Sequence, residues 1–220
     1  MNWLKNYFKG TFSNAKEHPR LYAGAVFAIC TGIVNVVLST AFLSIFIGFA
    51  GIYGLLVGLV KLHSLNQYRT IQTFDNEKAI KQVEWLVARR IAIITAIMSF
   101  LHFSLGIVSI FFHEEIPKSY TIIFIFYFGG VAVIGLLIAV VNVIRTRKSH
   151  SMIIHHIKLI SFANVLIFAS LAQRIIFYHV GHEWADILSG IGAASFGILV
   201  ALICLLMFRK IRRSRAVFNN

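Results

Sequence analysis

Acids are what this chain has least of: eight Asp and Glu stand against 21 Lys and Arg in 220 residues, a formal net charge of +13. It has two prolines and two cysteines. The apolar runs contain no paired carboxylates, and the chain has no glycine-rich phosphate loop, Ser/His/Asp set or C-x-x-C pair. These absences argue against a self-energised pump, an intramembrane protease and thiol redox chemistry. Cys30 and Cys204 sit at depths differing by roughly 9 Å at 1.5 Å per residue, too far apart for a disulfide. The first residues also lack a basic start, apolar core and small-residue cleavage site, so they are not read as a secretory signal.

What is present is apolar surface. Hydrophobic residues make up 58% of the chain, far above a soluble domain. Six windows, 21–39, 41–62, 91–112, 121–144, 157–178 and 187–208, are each about long enough to cross a ~30 Å hydrocarbon core. The fold class expected is all-α: a polytopic membrane protein with one transmembrane domain over 19–215, most simply three consecutive helical hairpins. Residues 1–18 precede it as an amphipathic interfacial helix. Trp3, Leu4, Tyr7, Phe8 and Phe12 recur at helical spacing, and Lys5 and Lys9 face anionic headgroups.

The cations sort by side. Nineteen of the 21 Lys and Arg flank the windows on the side of the chain ends, leaving Lys118 and Arg174 towards the other. The positive-inside rule makes both ends cytoplasmic, in a bacterial cytoplasmic membrane. The basic balance is therefore a topology signal, and nucleic acid is not an expected partner. The inner cluster of His150, His155, His156 and Lys158 with Arg145, Arg147 and Lys148 suits anionic headgroups.

Along the chain, Pro19 opens the first span, and Ser39-Thr40 divides the first two windows as a tight turn. Residues 63–89 form the longest inner connection. Asp75-Asn76-Glu77 there predicts a helix start, and Ile80, Val83 and Val87 carry the helical period onward. Small-residue rows recur in the even helices: Ala50-Gly54-Gly58, Gly135-Ala139 and Ala193-Gly197-Ala201. Such rows let helices approach closely in lipid. Residues 99–148 also align without gaps on 161–210, a shift of 62, matching Ser99 to Ser161, Gly135 to Gly197 and Arg147-Lys148 to Arg209-Lys210.

In the fifth window, Ser161, Ala163, Asn164, Leu166 and Gln173, followed by Gly181, fit S-x-A-[DN]-x-L-x-x-x-x-x-x-Q. With Asn142 and Arg145-Thr-Arg147-Lys148 before them, these residues give the last hundred or so positions a resemblance to small six-helix membrane proteins of Firmicutes. The resemblance implies fold and location only. It also implies an acid where this chain has Asn164, which speaks against proton or cation coupling there.

Polar residues at membrane depth are costly, an Arg at a helix centre by about 2.5–3.5 kcal/mol on insertion scales, and are default functional candidates. Asn35, His102, Gln173 and Arg174 all fall in the outer half. On the fifth helix Ser170, Gln173 and Arg174 share a stripe with Ala163 and lie near Asn164. Together they could line a pocket offering donors to an anionic or polar ligand. The alternatives are that Arg174 snorkels to the interface and that His102 bonds a neighbouring helix. A second set, His113 and Glu114 on one outer loop and His179, His182, Glu183 and Asp186 on the next, has zinc-competent ligands. Its spacing is neither H-E-x-x-H nor the inverse, and a hydrated acidic rim accounts for it equally.

The function expected is non-enzymatic: binding or passing a small polar solute or ion across the membrane. One rival is an accessory subunit, docking another membrane protein or a second copy through the small-residue rows and the 63–89 segment. A metal-dependent membrane enzyme is the other.

Overall fold

The computed structural model describes residues 19–111, 118–146, 151–181 and 184–219. They form six α-helices, α1 Pro19–Phe42, α2 Ile45–Gln72, α3 Glu77–Ser109, α4 Lys118–Thr146, α5 Met152–Val180 and α6 Ala185–Asn219. All six are long and apolar enough to cross a membrane, so the chain is an all-α multi-pass membrane protein. The interfacial helix expected over 1–18 lies outside the described residues.

Capping sets the boundaries, and two of them differ from the sequence reading. α1 runs through Ser39 and Thr40 to Phe42, because both hydroxyls donate back to helix carbonyls, of Val36 and Val37. The break comes at Leu43, which takes a left-handed φ of 50°, and Ser44, whose Oγ accepts from the Ile47 N–H. The 63–89 segment is almost wholly helical. α2 continues to Gln72, and Asn76 starts α3 by accepting from the N–H groups of Lys78 and Ala79.

The packing corrects the hairpin arrangement for the middle pair. α1 packs on α2 as a hairpin, but α3 packs on α6 and α4 on α5, and no close approach joins α3 to α4 among the described residues. Hydrophobic windows look alike from the sequence, whereas pairing depends on which backbone faces fit. α5 is the hub, touching α2, α3, α4 and α6. A Phe42–Phe124 edge contact, ring centroids 5.0 Å apart, links α1 to α4.

The small-residue rows are used inside the chain. A Cβ on Gly58 would lie 2.9 Å from the Ala25 carbonyl oxygen in α1, and one on Gly54 3.2 Å from that of Ala28. Gly32 and Gly51, outside the rows, are tighter still: a Cβ on Gly32 would sit 2.6 Å from the Leu55 backbone nitrogen.

The 62-residue repeat is realised as packing. Gly197 of α6 abuts Phe103 of α3, and Gly135 of α4 abuts Val165 of α5; the second contact is the first shifted by 62 positions. Gly190 meets Gly106, and the shifted pair, Phe128 and Phe168, stack with centroids 6.2 Å apart. The second helix of each repeat thus packs on the first helix of the other. Because α3 and α5 run in the same direction, the repeats are parallel, related by an approximate axis along the membrane normal.

Candidate functional site

The half of the hub remote from the chain ends holds a small void of about 10 Å³, lined by His102 of α3, Ser170 and Arg174 of α5, Ser189 of α6, and Phe46 and Phe49 of α2. That is room for about one water molecule. Three of the sequence candidates meet here: His102, Ser170 and Arg174. Offsets of four explain the α5 pair, since residues 170 and 174 share a helix face.

Arg174 is buried, with 4% of its surface exposed, and does not snorkel. Its guanidinium lies over the Phe46 ring, 3.7 Å from the centroid, and donates through Nη2 to the Tyr178 hydroxyl at 3.2 Å. Tyr178 in turn donates to Asp186 in the first turn of α6. A desolvated cation–π contact contributes about 2 kcal/mol, and a hydrogen bond to a charged group about 1.5–3. Together these match or exceed the roughly 3 kcal/mol cost of placing an Arg at this depth. Arg174 is therefore accommodated by its own neighbours.

His102 is a different case. It is equally buried, at 5% exposed, and its ring stacks on Phe49 at 6.0 Å. Neither ring nitrogen has a hydrogen-bond partner among the described residues. A buried polar group left unsatisfied costs about 1–3 kcal/mol, and both nitrogens belong to a side chain on the void wall.

The remaining candidates lie elsewhere. Asn35 is fully buried in α1 with both amide atoms unpartnered, but it is not among the residues lining the void. Gln173 turns its amide onto Gly192 of α6, leaving no space for a Cβ there; one residue along a helix is enough to carry it off the Arg174 face. Asn164 is buried with its Oδ1 unpartnered and also lies off the void. Under the 62-residue shift Asn164 is the counterpart of His102, so both repeats place an incompletely satisfied polar side chain at the same helical position.

Of the zinc set, His113, Glu114, His182 and Glu183 lie outside the described residues. His179 pairs its Nδ1 with the Thr121 hydroxyl at 3.0 Å, and Asp186 accepts from Tyr178. Among the described residues no three His, Cys, Asp or Glu side chains are grouped to hold a metal ion. At the opposite end, His156 is buried between the Met152 and Met207 carbonyls at 2.8 and 3.3 Å, joining α5 to α6.

Sequence reasoning passed over Phe46, Tyr178 and Ser189. Tyr178 was within reach of it, four residues beyond Arg174 on the same helix face. Nothing in the local sequence marks Phe46, which reaches Arg174 only through the α2–α5 contact. No family model, curated protein or solved structure matches the chain.

Proposed function

We propose that this protein is a non-enzymatic multi-pass protein of the bacterial cytoplasmic membrane that binds, and passes, a small polar or ionic species at the His102–Arg174 void. The observation that carries this reading is His102, with two buried ring nitrogens that no atom of the described residues satisfies, beside a space of about 10 Å³. A guest is the most economical way to satisfy them. Arg174 and Ser170 add donors, which favours a water-sized guest that accepts hydrogen bonds, a small anion above all; the Ser189 hydroxyl is already given to the Asp186 carbonyl at 3.0 Å. Anything larger would need α2 or α6 to move away from α5.

The test is thermal unfolding of purified protein in detergent with fluoride, chloride, nitrate or formate, compared with His102→Leu. A ligand binding only the folded state raises the melting temperature as its concentration passes Kd. The shift should appear for one small anion in the wild type and vanish in His102→Leu. A His102→Leu variant that is more stable, in a protein that no small ion stabilises, would make His102 a packing residue.

The sidedness follows the cations: both ends and the 73–76 connection cytoplasmic, Lys118 outside. A membrane-impermeant thiol reagent should label a cysteine placed at 118, and not one placed at 76, in intact cells. The resemblance to Firmicutes six-helix proteins supports the bacterial location. One observation favours the rival reading of an accessory subunit, namely the tightness of the interior. Because the small-residue rows are occupied within the chain, a partner would dock on the α2–α3 extension, and stoichiometric co-purification would reveal it.

A further inference from the structure

The crevice between α2 and α3 differs in kind from the His102 void and shares no residue with it. Leu59 and Val60 of α2 and Ile91 and Ile94 of α3 wall a groove of about 240 Å³. At its end nearer the 73–76 connection stand His63 and Arg90, both exposed. Neither hydrogen-bonds nor ion-pairs with another side chain among the described residues. Arg89 is exposed beside them. The nearest acid along these helices, Glu84, is buried and engaged by the Ser151 hydroxyl at 2.8 Å and by Lys81 at 3.6 Å. Asp75 and Glu77 lie at the far tip, roughly 20 Å along the helix from Arg90 at 1.5 Å per residue. The groove therefore has an aliphatic body and one cationic end with no acid among the described residues to neutralise it. Arg90 is also where charge gives way to the apolar run of α3 that begins at Ile91, which is the level of a headgroup.

We propose that this groove is a specific binding site for one anionic phospholipid of the leaflet on the side of the chain ends. The lipid phosphate sits on Arg90 and His63, and an acyl chain lies between Leu59 and Ile94. Charge complementarity selects the class. A zwitterionic headgroup brings its own cation towards Arg89 and Arg90, and an anionic one does not. Arg suits phosphate because its planar fork donates two parallel hydrogen bonds.

Native mass spectrometry of delipidated protein decides it, after addition of dioleoyl phosphatidylglycerol, dioleoyl phosphatidylcholine or inorganic phosphate. The wild type should retain one phosphatidylglycerol in preference to phosphatidylcholine. One cation at an anionic lipid surface is worth about a fivefold change in affinity. Arg90→Gln should therefore lower phosphatidylglycerol retention about fivefold and leave phosphatidylcholine unchanged, whereas Arg90→Lys should keep most of it. Leu59→Trp, which fills the groove, should lower retention of both lipids. Equal retention of the two lipids by the wild type overturns the proposal without any variant, so a poorly folded Arg90→Gln cannot shelter it. An Arg90→Gln protein with wild-type melting and undiminished phosphatidylglycerol overturns it too. Displacement of the lipid by millimolar inorganic phosphate would replace it with a site for the free anion.

Discussion

The α3–α6 and α4–α5 pairs run in the same register, position for position under the 62-residue shift, yet they are held together by different means. In α3–α6, backbone meets backbone: a Cβ on Gly106 would lie 2.5 Å from the Ala194 nitrogen, and one on Gly190 2.8 Å from the Gly106 carbonyl oxygen. The Ser99 hydroxyl also crosses to donate to the Gly197 carbonyl at 2.8 Å. In α4–α5 the same level is filled by the Phe128 and Phe168 rings, and Gly135 meets the Val165 side chain and no backbone. Ser161, the counterpart of Ser99, bonds its own helix at Ile157. In lipid, where no hydrophobic force separates helix faces from tails, close backbone approach and side-chain bulk are alternative sources of packing. One register accommodates either.

The sharpest way to break the comparison is to make opposite changes at equivalent positions. Gly106→Leu forces a side chain into the α6 backbone and should cost more than about 3 kcal/mol, enough for loss of the monodisperse species on size-exclusion chromatography. Phe128→Ala removes bulk from the other pair and should cost about 3 kcal/mol, read as a lower melting temperature. If Gly106→Leu were silent and Phe128→Ala severe, the close α3–α6 contact would be wrong.

Smaller effects should separate the two glycines. Gly197→Ala drives a methyl to 2.9 Å from the Phe103 backbone and should destabilise by about 1–3 kcal/mol. At Gly135 the obstacle is one Val165 methyl, 2.8 Å away. Alanine is the better helix former by about 1 kcal/mol, so Gly135→Ala should fall within about 1 kcal/mol of wild type. Equal costs at both positions would mean the pairs are closer in kind than their contacts suggest. Smallest of all, Ser99→Ala should cost about 0.6 kcal/mol, the average for hydrogen bonds between helices in a membrane. Ser161→Ala should be neutral, since its hydroxyl satisfies only its own helix. Thermal unfolding of the two serine variants side by side checks this.

Six helices, the start of α3 at Glu77 and the 62-residue repeat were all legible in the sequence, because length, an Asn cap and identities such as Gly135 with Gly197 are local properties. The partner of each helix was not. Nothing in α3 alone says that Gly106 will meet Gly190 rather than a residue of α4. The rows of the even helices also leave out Gly32, which closes a Gly24-Ala28-Gly32 row in α1, and Gly51, which has no small residue four positions away; both bring α1 against α2. Depth alone grouped Asn35, His102, Gln173 and Arg174, whereas azimuth decides which of them share a space. Ser170 and Arg174 follow from helical periodicity, but Gln173 is turned away to Gly192 and Asn35 sits on a different element. Arg174 suggested a ligand through its charge, yet Phe46 and Tyr178 already accommodate it. His102 stands out only once its surroundings are known.

The nested order of pairing has a consequence for how the chain is made. During translation α1 and α2 can dock as soon as both have left the ribosome, since two residues join them. α3 then has to wait in the bilayer, with the glycine face of Gly106 turned to lipid, until α4, α5 and finally α6 have been inserted. α5, the hub that carries Arg174, emerges between them and finds Phe46 of α2 already in position to receive it. A ribosome stalled after Gly181 would thus release a chain in which α3 lacks its main partner and α5 lacks one of its four neighbours. Quality-control proteases that recognise unassembled spans would find α3 the most persistent target.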